Sequence, residues 1–156
     1  MNLLNSEIIE KTLQEARKSE RGRAIFCFHK KTDGLQRMVN AVLKETYLRP
    51  HKHENPDKLE IFSIVKGKVA ILTFDDSGRI NEKRILDEND EIKIAEIPPK
   101  TWHNFVVLSK EAVLYEIIDG KYNPKTHKKE AKWAPEENTP AAKIYLTRLR
   151  KETNNG

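Results

Sequence analysis

Between Ala24 and Ile118 the chain divides into short apolar and β-branched runs, each closed by a turn signal, and this spacing limits what it can fold into. The runs predict strands near 24–28, 36–43, 46–51, 60–66, 68–75, 79–86, 90–97, 102–108 and 111–118. Between them stand Thr32-Asp33-Gly34, Asn55-Pro56-Asp57, Lys66-Gly67, Asp75-Asp76-Ser77-Gly78, Glu88-Asn89-Asp90 and Pro98-Pro99-Lys100. Asp76-Ser77-Gly78 carries the glycine that a tight hairpin needs. So many short strands with so little chain between them close into a sandwich or barrel.

The ends read differently. Ile9, Leu13 and Ala16 recur at helical spacing, which predicts a helix over about 5–19, capped by Asn5 or Ser6 and stapled by Leu4 on Ile9. After Asp119-Gly120 the chain is basic and irregular. A second helix is expected from Thr139 to Lys151, with Thr139 as N-cap, Pro140 at the first turn, and Ile144, Tyr145 and Leu149 on its apolar side. No repeat or linker divides the 156 residues, so one domain is expected: barrel over about 24–118, irregular segment and helix over 119–151.

Charged residues make up 34% of the chain and hydrophobic ones 37%, and the formal charge is +5. The excess is local, in Lys121, Lys125, Lys128, Lys129 and Lys132 and in Arg148, Arg150 and Lys151. Neither aromatic platforms nor a reading helix accompanies it, so a solvated face is expected, not nucleic acid. Cys27 is the single cysteine, which excludes an intrachain disulfide; its apolar run predicts a buried free thiol. The start shows no basic segment followed by an apolar stretch, and no run is long enough to span a bilayer, so a cytoplasmic protein off the membrane is expected.

The chemistry concentrates in His51-Lys52-His53, Glu60 and Ile97-Pro98-Pro99-Lys100-Thr101-Trp102-His103. Residues two apart on a strand share a face, so His51 and His53 project together, with Tyr47 and Arg49 before them. Neutral imidazole donates a lone pair to zinc, iron, nickel and similar ions. Taken alone, such a pair equally marks an exposed edge strand. With Glu60 and His103 it makes four ligands, and an octahedral ion keeps two open positions. Trp102 should face away from His103 and pack, and Trp133 should pin the basic segment onto the barrel. His29 and His127 are expected in solvent.

His-x-His, a Glu before a strand that ends in glycine, and a proline turn before a third histidine form the two-part cupin pattern, and the chain resembles the cupin superfamily at those residues. Two departures stand out: six residues separate His53 from Glu60 where three or four are usual, and Lys100 holds a position usually given to glycine. The resemblance extends to the WbuC-type cupins over about Arg21 to Leu149. It rests on Gln36-Arg37-Met38-Val39-Asn40-Ala41, Tyr47-Leu48-Arg49-Pro50, Phe74-Asp75-Asp76-Ser77-Gly78, Asp119-Gly120-Lys121-Tyr122-Asn123-Pro124 and Trp133-Ala134-Pro135-Glu136-Glu137. That family is typically encoded in bacterial cell-surface polysaccharide clusters.

The resemblance implies a mostly β, jelly-roll cupin barrel with short terminal helices and one divalent metal (Zn, Fe, Ni or Mn) on His51, His53, Glu60 and His103. It also implies a carbohydrate-like small molecule as ligand. Metal-poor cupins, whose pocket histidines act as acid and base, also exist. Three functions follow as expectations: an isomerase or epimerase moving a proton on a sugar-like substrate, a non-catalytic sugar or nucleotide-sugar binding module, and an iron-dependent oxygenase. For catalysis Glu116 and Tyr47 are the candidate acid–base groups, and Arg49 and Arg37 the candidate substrate contacts, with a surface acid and salt bridges as the alternatives. A homodimer is expected, because cupins often pair through strands or terminal segments and the N-terminal helix has an apolar face to bury.

Overall fold

The computed structural model describes residues 1–154, the side chain of Asn154 excepted. Ten strands, all paired antiparallel, form two five-stranded sheets. One sheet holds β1 (Arg23–Cys27), β2 (Leu35–Leu43), β9 (Glu111–Asp119), β4 (Glu60–Lys66) and β7 (Ile94–Ile97), in that spatial order. The other runs β10 (Lys129–Glu130), β3 (His51–Lys52), β8 (Trp102–Val107), β5 (Lys68–Phe74) and β6 (Ile80–Asp87). This is the expected mostly β architecture with two helices toward the chain ends.

Strand parity sorts the side chains. The inner faces of β4 (Phe62, Ile64), β5 (Val69, Ile71), β8 (Phe105, Val107) and β9 (Ala112, Leu114) close on one another as an apolar core filling one end of the barrel. Each large side chain buried there contributes about 1.5–3 kcal/mol. Toward the other end the same faces turn polar, with Glu60, His103 and Glu116 buried.

Helix α1 (Ser6–Lys18) covers the outer face of the first sheet, with Leu13 and Ala16 against Val39, Ala41 and Val113. Its cap is as expected: Asn5 Oδ1 accepts from Ile8 N at 3.0 Å. The apolar stripe is thereby covered by its own chain.

Helix α2 (Pro140–Asn154) covers the outer face of the second sheet. Its buried apolar residues are Ala142, Leu146 and Leu149, while Ile144 is 73% exposed, so the helix is rotated from the side expected. Tyr145 lies at the margin of that contact. No helix among the described residues is long and apolar enough to cross a membrane.

Several elements differ from expectation. Of the 46–51 run only His51 is strand, because the Thr46 N–H turns back to Leu43 O and the Tyr47 carbonyl accepts from Arg23 Nη1, not from a neighbouring strand. The 90–97 run is strand only from Ile94, and β10 falls in the segment read as irregular. Cys27 is exposed, not buried: β1 is an edge strand whose Ile25 and Cys27 face the open end of the barrel.

Candidate metal centre

Register brings the four candidate ligands together. His51 on β3 pairs directly with His103 on β8, and Glu60 opens β4 on the opposite sheet. One ligand atom from each of His51, His53, Glu60 and His103 lies within 4.8 Å of the others, and all four residues are at most 4% exposed.

Backbone carbonyls fix the three rings. Nδ1 of His51 faces Arg49 O at 3.1 Å, Nδ1 of His53 faces His127 O at 2.6 Å, and Nδ1 of His103 faces Thr101 O at 2.8 Å. A carbonyl only accepts, so each Nδ1 is the protonated donor and each neutral ring turns its Nε2 lone pair inward. Nε2 of His53 and Nε2 of His103 both stand 2.8 Å from the same Glu60 Oε2. Three acceptors that close repel unless a cation lies between them. Ring protons would supply it one contact at a time; one divalent ion would satisfy every donor atom at once, and a His₃Glu set suits a first-row ion. The residues therefore form a group that could hold a metal.

Both departures from the cupin pattern are accommodated locally. Lys100 has φ of 66°, the left-handed conformation that favours glycine, and its N–H donates to His53 O at 3.0 Å while its Nζ pairs with Asp57 at 2.9 Å. In the longer loop, Lys58 is only 2% exposed and its Nζ donates to Lys121 O at 2.7 Å. Asp119 N donates to Leu59 O at 3.0 Å, so the loop is tied to its neighbour just before Glu60.

Burial depresses the His51 pKa well below its ordinary value, reinforced by the charge of His103. At His53 burial also acts downward, but the hydrogen bond and charge of Glu60 outweigh it and the pKa is raised. Burial raises Glu60, yet hydrogen bonds from His103 and His53 hold it well below the usual carboxylate range.

Glu116 lies beside this group. It is 7% exposed, within hydrogen-bonding reach of Glu60, and accepts from Asn40 Nδ2 at 3.1 Å. Burial, then the charge of Glu60, pushes its pKa well up. Two neighbouring carboxyls cannot both ionise cheaply: Glu60 holds the charge and Glu116 the proton.

The other expected site residues lie elsewhere. The Tyr47 hydroxyl donates to Pro135 O at 2.9 Å, and its ring packs on Tyr145 beneath α2. Arg49 Nε donates to Ala131 O at 3.0 Å, and its Nη1 pairs with Glu130 at 3.3 Å, holding the 127–135 segment. Arg37 shares parity with Val39 and Ala41, which face α1, and its Nη2 pairs with Asp33 at 3.1 Å. These three residues are absent from the lining of the metal pocket.

Trp102 faces away from His103, as expected, and its Nε1 donates to Asp76 at 2.9 Å. Trp133 packs between Phe74 and Trp102 and pins the basic segment. That segment, not solvent, surrounds His127: its ring lies 5.3 Å from that of His53, and burial lowers its pKa to about 4. His29 is half-buried, accepting from Arg37 N at 3.0 Å. Asn40 and His127 were not read as site residues. Asn40 had a signal, a polar side chain within an apolar strand. His127 had none, because it reaches the site through a segment of no periodicity.

Three solved structures share this architecture. The capsular polysaccharide assembling protein CapF from Staphylococcus aureus is 22% identical with a TM-score of 0.59 over 70% of this chain, which covers only 29% of CapF. KdgF from Halomonas sp. is 20% identical with a TM-score of 0.53, over 66% of this chain and 84% of KdgF. The cupin domain of Schizosaccharomyces pombe Cnp3 is 12% identical with a TM-score of 0.50, over 65% and 67%. Identities this low establish fold alone. No curated protein matches the sequence. A family model does match residues 4–86, more than half of the chain, so this cupin-fold protein belongs to the family described as Domain of unknown function (DUF6016).

Proposed function

We propose that the protein is a metal-dependent cupin that moves a proton on a sugar-like small molecule, an isomerase or epimerase type of reaction. One observation carries this reading: three inward lone pairs and the Glu60 carboxylate converge within 4.8 Å, two of them 2.8 Å from Glu60, with a second, protonated carboxyl, Glu116, alongside in the same pocket. His51, His53, Glu60 and His103 would hold the ion, whose chemistry when bound is to polarise adjacent substrate oxygens. Glu116 would carry the mobile proton, taking it from a substrate carbon once its own proton has passed to a substrate oxygen, and Asn40 Nδ2 holds that carboxyl in place. Phe105, Met38 and Ile118 line the walls and limit water around the reacting group.

The sugar assignment draws on the CapF likeness and on the WbuC-type residues around Asn40, His51 and Asp119, which also suggest a role in cell-surface polysaccharide metabolism in the cytoplasm. Solvent deuterium incorporation tests the proposal. Metal-loaded protein incubated in D2O with a panel of aldoses, ketoses and uronates should label a carbon next to the carbonyl of at least one of them, and Glu116→Gln should abolish labelling while retaining the metal. Binding without labelling across the panel would favour a sugar-binding module. Labelling unchanged in Glu116→Gln would remove Glu116 from the chemistry.

A further inference from the structure

The metal group occupies only the inner end of a cavity of about 690 Å³. Such a volume accommodates a ligand of drug size, more than one chelating group requires. Glu60 and Glu116 are its only acidic lining residues among those described, and both lie at the inner end. Toward the mouth the charged lining is basic. Arg21 and Arg23 share the single carboxylate of Glu137, at 2.7 and 2.8 Å, which leaves the trio one net positive charge. Lys31 has no ion pair among the described residues, and Lys128, which also lines the pocket, pairs at 3.1 Å with Glu130, a carboxylate that it shares with Arg49. Two buried polar atoms of the lining also lack partners, Nδ1 of His127 and Oδ1 of Asn40. Buried groups of this kind are usually satisfied, and here a ligand is what can reach them.

We infer that the ligand is a polyhydroxylated molecule with an anionic group, a carboxylate or a phosphate, held at the mouth by Lys31 and Lys128 beside His127 while its hydroxyls face Asn40 and the metal group. The inference rests on the metal-dependent reading above and adds the charge of the ligand to it. Isothermal titration of the metal-loaded protein with matched pairs tests it: galactose against galacturonate, and glucose against glucose 1-phosphate. In wild type at least one anionic member should bind about tenfold tighter than its neutral partner, and Lys31→Ala/Lys128→Ala should bring the pair to within about twofold, with Lys128→Arg retaining the preference. Metal content should be unchanged in all three proteins. Equal binding within both pairs, no binding of either anionic probe, or a preference that survives the double substitution would overturn it. A preference for the anionic probes that persists in metal-free His103→Ala would instead overturn the metal dependence and leave the anion subsite standing.

Discussion

His103 presents Nε2 to Glu60 Oε2 at 2.8 Å while its Nδ1 donates to the carbonyl of Thr101 at the same distance, so only a charged ring would have a proton left for the carboxylate. The contact is unfavourable between neutral His103 and ionised Glu60 and becomes favourable when a cation lies between them. Glu60→Gln preserves the shape and removes the charge. It should lower metal affinity by more than about a hundredfold, since even outer-shell partners of ligands cost ten- to a hundredfold. Competition against a chromophoric chelator reads this directly, and an affinity within about tenfold of wild type would exclude Glu60 as a ligand.

The 127–135 segment lines the pocket with His127 and Lys128 and is anchored outside it by Trp133. The Cβ that alanine would add at Gly78 would come within 2.6 Å of the Trp133 ring, at a φ of 85° that already favours glycine, so turn and ring are fitted to each other. Trp133→Ala should cost about 2–4 kcal/mol in urea denaturation. It should also weaken metal binding, because His53 is oriented by the carbonyl of His127 in the segment that Trp133 anchors. Loss of stability with unchanged metal affinity would show that the segment does not support the site.

Away from the pocket, Glu111 accepts from Arg17 Nη2 at 2.8 Å and Lys66 Nζ at 3.0 Å, joining α1 to β9 and β4. Burial acts to raise its pKa, but these two hydrogen bonds outweigh it and the value falls below 4.5. A carboxylate depressed in the folded state stabilises above its ordinary pKa, and that contribution is lost as pH falls through the folded value. Both cations are about two-fifths exposed, so screening holds the effect to about 0.5–1 kcal/mol. Glu111→Gln should therefore have a lower urea midpoint than wild type near neutral pH, and the two should converge well below pH 4.5. A gap that persists in acid would mean that packing, not charge, is what the substitution removes.

Much of this was legible in the sequence where a residue's role follows from local parity. His51, His103 and Glu60 face inward because each starts or sits in a short strand, and Trp102 faces outward for the same reason. The Asn5 and Thr139 caps were equally local. Arg37 shows the limit: its grouping with Val39 and Ala41 was legible, but not which face that was, because α1 covers one side of β2 and the pocket the other. Tyr47 and Arg49 were misplaced because the chain before His51 is not strand, so alternation does not hold there. His127 and Lys128 reach the pocket through long-range pairing of Lys129 with Lys52, which no local pattern encodes.

Elemental analysis of purified wild type beside His51→Ala and His103→Ala tests the central claim most directly. The account predicts close to one equivalent of a first-row transition metal in wild type and its loss in both variants, with folding retained by circular dichroism. Wild type that holds no metal even after reconstitution, or variants that keep the full complement, would contradict it.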